Sequence, residues 1–203
     1  MAASGVMSIP VIGITGGIGA GKSEAARALE RLGCVVADAD RLAKAALDSP
    51  AISAQIVSWW GSDMLDADGA VDRAALATVV FEQSDALEQL EGVLHPEVER
   101  QRQAIFEAAG PHTRAFIIDA PLLLEVGLDE QCDVVIFIDA PRQLRLERVA
   151  KSRGWDPQEL DRREVKQLAL DNKRSQADYV LVNEEGPDAL EAKLAAILDA
   201  LLD

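Results

Sequence analysis

The stretch "GITGGIGAGKSE", Gly13 to Glu24, decides the fold. It leaves an apolar run, "IPVIGIT" at 9–15, and enters a helical pattern at 22–32. Gly16, Gly21, Lys22 and Ser23 fill the spacing G-x-x-x-x-G-K-[ST] completely, between a predicted strand and a predicted helix. Glycines there let the backbone curl with its N–H groups facing inward, and the helix start adds its positive end. The stretch therefore suits a phosphate. In that reading Gly16, Gly17, Ile18, Gly19, Ala20, Gly21, Lys22, Ser23 and Glu24 surround the phosphates of a nucleotide. Lys22 reaches the β and γ phosphates, and Ser23 offers its hydroxyl to Mg²⁺. The bland alternative is a glycine-rich turn that holds nothing.

Four more apolar runs follow: "CVVAD" (34–38), "AFIID" (115–119), "DVVIFID" (133–139) and "DYVLV" (178–182). They are nearly continuous and rich in Val and Ile, as strands buried on both faces are. Helical patterns at 22–32, 40–48, 51–60, 72–80, 83–109, 141–152, 156–170 and 187–202 fill the gaps. This alternation predicts a five-stranded parallel sheet wrapped by helices. The gap from 41 to 114 is too long for one crossover and shows no strand, so a helical insertion is expected there, with "GSDMLDADGA" (61–70) as a loop inside it. "IDAP" occurs twice, at 118–121 and 138–141, each time at a strand end, where Pro commonly starts a helix.

The chain has 203 residues, 49% hydrophobic and 27% charged, which is a globular profile of single-domain size. The longest apolar runs are too short to cross a bilayer. The start "MAASGVMSIP" lacks the features of a secretory signal, so a cytoplasmic protein with a flexible tail at 1–8 is expected. Cys34 and Cys132 read as free thiols, and no Cys/His cluster suggests zinc. A net charge of −15 argues against a nucleic-acid partner. The charge is uneven: 141–174 holds ten Lys and Arg against six acids, a local +4. Such a patch focuses a small anion or is simply a salt-bridged helix surface.

A phosphate loop serves GTPases, ATPases and small-molecule kinases alike. The guanine-reading N-K-x-D is missing, since "NKRS" at 172–175 puts Ser175 where Asp belongs. Acids follow the next strands: Asp38 and Asp40 after the second, Asp119 after the third. Strand ends of a parallel sheet converge on one cleft. Carboxylates there take a proton from an attacking hydroxyl or anchor Mg²⁺ through water, and both roles fit phosphoryl transfer to an alcohol. Helix capping is the structural alternative for each aspartate.

With these motifs in view, the chain resembles the dephospho-coenzyme A kinase family. The resemblance runs through "IGITGGIGAGKS", "GCVVADADRLAKAAL", "LEGVLHPEV" (90–98), "IDAPLLLEVGL" (118–128), "QLRLERVAKSRG" (143–154) and "NKRSQADYVLVNEEG" (172–186). It implies an α/β P-loop kinase that uses ATP and Mg²⁺ to phosphorylate the ribose 3′-hydroxyl of dephospho-CoA. It also implies a single domain over 9–203 with a core at 9–40, 115–140 and 176–203, a helical acceptor-binding subdomain at about 41–114, and a lid at about 141–175. By resemblance Asp40 is the general base, and Asp38, His95, Asp119, Leu122, Leu123 and Glu125 lie on the acceptor side. Arg148, then Arg153 and Arg145, are the lid arginines that meet the moving phosphoryl group, and Asn183 and Gly186 lie near the adenine. A monomer or small homo-oligomer without membrane attachment is expected.

Three positions depart from the family pattern. Glu24 follows "GKS" where Thr or Ser is usual, Leu124 stands where Phe is frequent, and Glu164 stands where an apolar residue is common. Two competing readings share the loop. One is a P-loop kinase acting on a nucleoside monophosphate or small alcohol, and the other is a nucleotide-binding regulator without catalysis.

Overall fold

The computed structural model describes residues 9–83 and 85–202; the tail expected at 1–8 lies outside them. Five strands, β1 (Val11–Gly16), β2 (Val35–Asp38), β3 (Phe116–Asp119), β4 (Val134–Asp139) and β5 (Tyr179–Val182), form one all-parallel sheet in the order β2-β3-β1-β4-β5. The expected α/β fold is the observed one. β1 lies at the centre, with Ile14 beside Asp119 of β3 and Gly16 beside Ile138 of β4. The carboxyl ends of these three strands thus share one edge of the sheet, and the chain order reverses around β1. In open α/β sheets that is where ligands sit.

Helices α1 (Lys22–Arg31), α6 (Arg142–Arg153), α7 (Pro157–Glu164), α8 (Leu170–Gln176) and α9 (Pro187–Leu202) accompany the sheet. The apolar stripes of α1 and α9 close one core: Ala25, Ala28 and Leu29 of α1 and Leu190, Leu194 and Leu198 of α9 pack with Ile12, Ile14, Ile117 and Ile136. Cys34 is buried in that core, and both cysteines are free.

The chain divides into two compact units. One comprises the residues up to Ala37 and from Ala109 onward, and the other is Asp38–Ala108. The second unit is helical: α2 (Ala39–Leu47), α3 (Pro50–Trp60), α4 (Arg73–Glu82) and α5 (Ala86–Glu107). Ser49 and Asp72 cap α3 and α4 by accepting main-chain N–H groups, so each start is written locally. Its own cluster of Ile52, Ile56, Met64, Val71, Leu76 and Leu90 is the core of this unit. The loop expected at 61–70 is tightened by Asp66, whose carboxylate accepts the N–H groups of Asp68 and Ala70, both at 3.0 Å.

Two expectations differ from the structure. The helix expected over 156–170 ends at Glu164, and α8 starts separately at Leu170. The Leu168 N–H donates instead to Glu125 Oε1 at 2.9 Å, a partner 43 residues away that draws it out of a helical ladder. The two "IDAP" copies also part ways: Pro141 opens α6, whereas Pro121 is followed by turns. The carbonyl of Pro121 accepts from Thr15 and Lys173, which holds that turn in place.

Candidate functional site

The loop between β1 and α1 keeps its glycines for steric reasons. A Cβ on Gly16 would stand 2.5 Å from the carbonyl oxygen of Ile138, and Gly21 has φ +100 beside the Asn183 amide. Gly21 immediately precedes Lys22, the first residue of α1, so the helix begins where the loop closes. Ser23 is exposed in that first turn. Glu24 faces along the helix instead: Arg27, then Arg31, hold its carboxyl below the usual carboxylate range.

Three side chains from the far end of the chain hold the loop by its carbonyl oxygens. Arg148 donates to Ala20 O at 3.0 Å, Gly19 O at 3.4 Å and Asn183 O at 3.1 Å. Asn183, itself buried, donates from Nδ2 to Ala20 O at 2.8 Å. Arg145 donates to Ile18 O at 3.3 Å and Ala140 O at 3.2 Å, and pairs with Glu164. These carbonyls are engaged by side chains and the Ala20 N–H donates to Gly17 O at 3.0 Å, so the N–H groups that suit an anion are those at the start of α1. Arg145, Arg148 and Asn183 thus brace the loop in this structure.

Lys22 and Asp119 form an ion pair at the strand edge, with side-chain exposures of 16% and 5%. The ammonium therefore already stands over the end of β3, next to the loop. Ser23 and Asp119 are one hydroxyl and one buried carboxylate, a donor set that suits Mg²⁺ when phosphate oxygens and waters complete the octahedron. Among the described residues there is no cluster of three or more His, Cys, Asp or Glu that would cage a metal alone. Asp38 caps α2 by accepting the Arg41 N–H at 2.9 Å. That leaves Asp40, in the same first turn, with an exposed carboxylate not used in capping.

Known proteins match this chain. The family model for dephospho-CoA kinase matches residues 10–188. A dephospho-CoA kinase of Anaeromyxobacter dehalogenans is 42% identical over 193 residues, covering 93% of this chain and 90% of that one. The chain belongs to the dephospho-CoA kinase family. The crystal structure of TT1252 from Thermus thermophilus superposes with a TM-score of 0.83 at 32% identity, over 97% of this chain and 100% of that one. The dephospho-CoA kinase of Campylobacter jejuni, 21% identical with a TM-score of 0.62 over 95% and 97% of the two chains, shares the fold.

The remaining residues singled out by the family's motifs fall in varied places. His95 is exposed on α5, directly before Pro96 inside that helix. Leu122 is 40% exposed, but Leu123 is fully buried and packs under Gly13, which makes it a core residue. Glu125 accepts from Leu168 and pairs with Lys173 at 2.7 Å. Arg153 and Arg163 lie 4.6 and 4.2 Å from the centre of the Trp155 ring. Gly186, φ +107, accepts from the Leu190 N–H and so starts α9. Sequence reading gave Thr15 no part in the site; Lys173 stands at the family's spacing in the segment 141–175, but nothing local gave it a partner there. Their shared acceptor, Pro121, lies 106 and 52 residues away.

Proposed function

We infer that this chain carries out its family's reaction: the γ-phosphoryl group of ATP passes to the ribose 3′-hydroxyl of dephospho-CoA, giving ADP and coenzyme A, the last step of coenzyme A biosynthesis. The observation that carries this reading is one family match, over residues 10–188, that takes in a complete phosphate loop and Asp40 together.

The roles follow from chemistry. The N–H groups of Gly16–Ser23 cradle the β and γ phosphates, and Lys22 leaves Asp119 for the phosphate oxygens when nucleotide enters. Ser23 and Asp119 would hold Mg²⁺, which would supply positive charge to the phosphates being transferred. Asp40 accepts the proton of the 3′-hydroxyl. Arg145 and Arg148 keep the loop's shape, and Arg153 on the segment 141–175 supplies mobile positive charge as a lid over the transfer. The helical unit Asp38–Ala108, which carries Asp38 and His95, serves the acceptor. No helix among the described residues is long and apolar enough to cross a membrane. The cytoplasm is the compartment that fits, since its reducing poise keeps both thiols free.

The test is a mass measurement. Purified protein with Mg·ATP should form ADP and coenzyme A together, and only when dephospho-CoA is present. ATP binding without any coenzyme A would overturn the reading and direct attention to other alcohols and nucleoside monophosphates.

A further inference from the structure

Among the described residues Lys173, on α8, is the one lysine with no exposed surface, and none of the roles above uses it. Its ammonium donates to Pro121 O and pairs with Glu125 Oε1, both at 2.7 Å. Removing two such charges from water is costly, and apolar residues in their place often serve stability equally well. What the pair holds in position is therefore the better account of it.

It holds three things. The Pro121 carbonyl also accepts from the Thr15 hydroxyl at 3.2 Å, and Thr15 directly precedes Gly16, where the loop begins. Pro121 stands two residues after Asp119, whose carboxylate meets Lys22. Glu125 Oε1 also takes the Leu168 N–H, which fastens the break between α7 and α8. Glu125 Oε2 is buried with no hydrogen-bond partner, so Lys173 and one amide are what satisfies this carboxylate.

We propose that Lys173, acting with Glu125, is a positioning residue for phosphoryl transfer: it pins the turn after β3 so that Asp119 keeps its place at the end of that strand when Lys22 turns to the phosphates, and it ties the α7–α8 break to the same turn. The inference rests on the reaction inferred above. It moves Glu125 from contact with the acceptor to support beneath the phosphate site.

The decisive variants are Lys173→Met and the double variant Glu125→Leu with Lys173→Met. In Lys173→Met, kcat should fall about tenfold to a hundredfold, the cost of reacting groups displaced by about an ångström. KM for ATP should change little, because the loop's N–H groups still bind ground state and transition state alike. Amide exchange over 165–169 should accelerate. That readout needs no acceptor, so it judges this inference even if the wild type makes no coenzyme A. The single variant leaves a buried carboxylate without its counter-ion. The double variant removes both charges and should recover thermal stability. Its kcat should stay low, whereas a purely structural pair would let activity return with stability. If the single variant does not fold, the double variant carries the test. Wild-type kcat in a folded variant, or unchanged exchange over 165–169, would overturn the proposal.

Discussion

The two units of the molecule use their polar side chains in opposite ways. In the unit that carries the sheet, polar groups reach across the chain: Arg148 and Asn183 bind the Ala20 carbonyl, and Arg145 binds that of Ile18, each more than a hundred residues away. In the unit Asp38–Ala108 several act at short range. Asp38, Ser49 and Asp72 cap their own helices, and Arg100 and Arg102 pair with Glu97 and Glu99 one turn away. The ion pair of Arg73 with Asp48, at 3.1 Å, is half exposed on both sides, and such pairs contribute little. What holds that unit is apolar packing around Ile56. An anion site needs fixed dipoles, which long-range polar contacts provide. Polar substitutions should therefore strike chemistry in the first unit, and apolar ones should strike stability in the second.

The largest effect on activity should come from Lys22→Ala. Losing the one ammonium at the loop should lower turnover about a thousandfold, as for other preorganised charges that meet a transition state. It should also weaken ATP binding, which equilibrium titration with the nucleotide reads directly. Asp40→Asn is the counterpart in the second unit. It removes a proton acceptor and leaves the loop untouched, so turnover should fall about a hundredfold while ATP affinity stays at the wild-type value. Near-normal turnover in Asp40→Asn would take the base role from this residue. Weakened ATP binding would break the contrast between the units.

Much of this was legible in advance because its signals are local. The strand-loop-helix spacing from Gly13 to Glu24 depends on residues within one turn of each other, and the five strands announced themselves as apolar runs. The loop's bracing was not legible. Arg148 and Asn183 were expected at the phosphoryl group and the adenine, but the structure sets them on the carbonyls of Gly19 and Ala20. A guanidinium serves a phosphate or a carbonyl equally well, and the choice depends on what α6 is packed against. The break after Glu164 was hidden for the same reason, since Glu125 takes the Leu168 amide from across the chain. Asp38 and Asp40 stand two residues apart, and only the geometry of α2 shows which of them is the cap.

A smaller effect on activity sharpens the comparison from the apolar side. Ile56 is fully buried in the cluster with Ile52, Met64, Val71, Leu76 and Leu90. Ile56→Ala removes three carbons and leaves a cavity, which costs about 2–5 kcal/mol. Denaturant titration should show that loss, while ATP affinity at temperatures where the variant is folded should equal that of the wild type. A large drop in ATP affinity in a folded Ile56→Ala would mean that the phosphate site depends on this distant packing.

The smallest effect lies in the first unit's own apolar core and leaves activity unchanged near neutral pH. Burial pushes the Cys34 thiol up to about 11 from an ordinary value of 9.0, with Arg114 opposing that shift weakly. Folding thus retains a proton that the unfolded chain gives up first. The neutral thiol's contribution to stability is complete below about pH 9 and is lost as pH rises toward about 11. Cys34→Ala removes this one titration and leaves the other groups in place. Between about pH 8 and about pH 10 the denaturation midpoint should therefore fall more steeply in the wild type than in Cys34→Ala. Parallel slopes would mean that the thiol reaches water in the native state and that β2 is looser than the rest of the sheet. A native thiol that also resists alkylation near pH 8 would instead place the edge next to Asp38 among the rigid parts of the first unit.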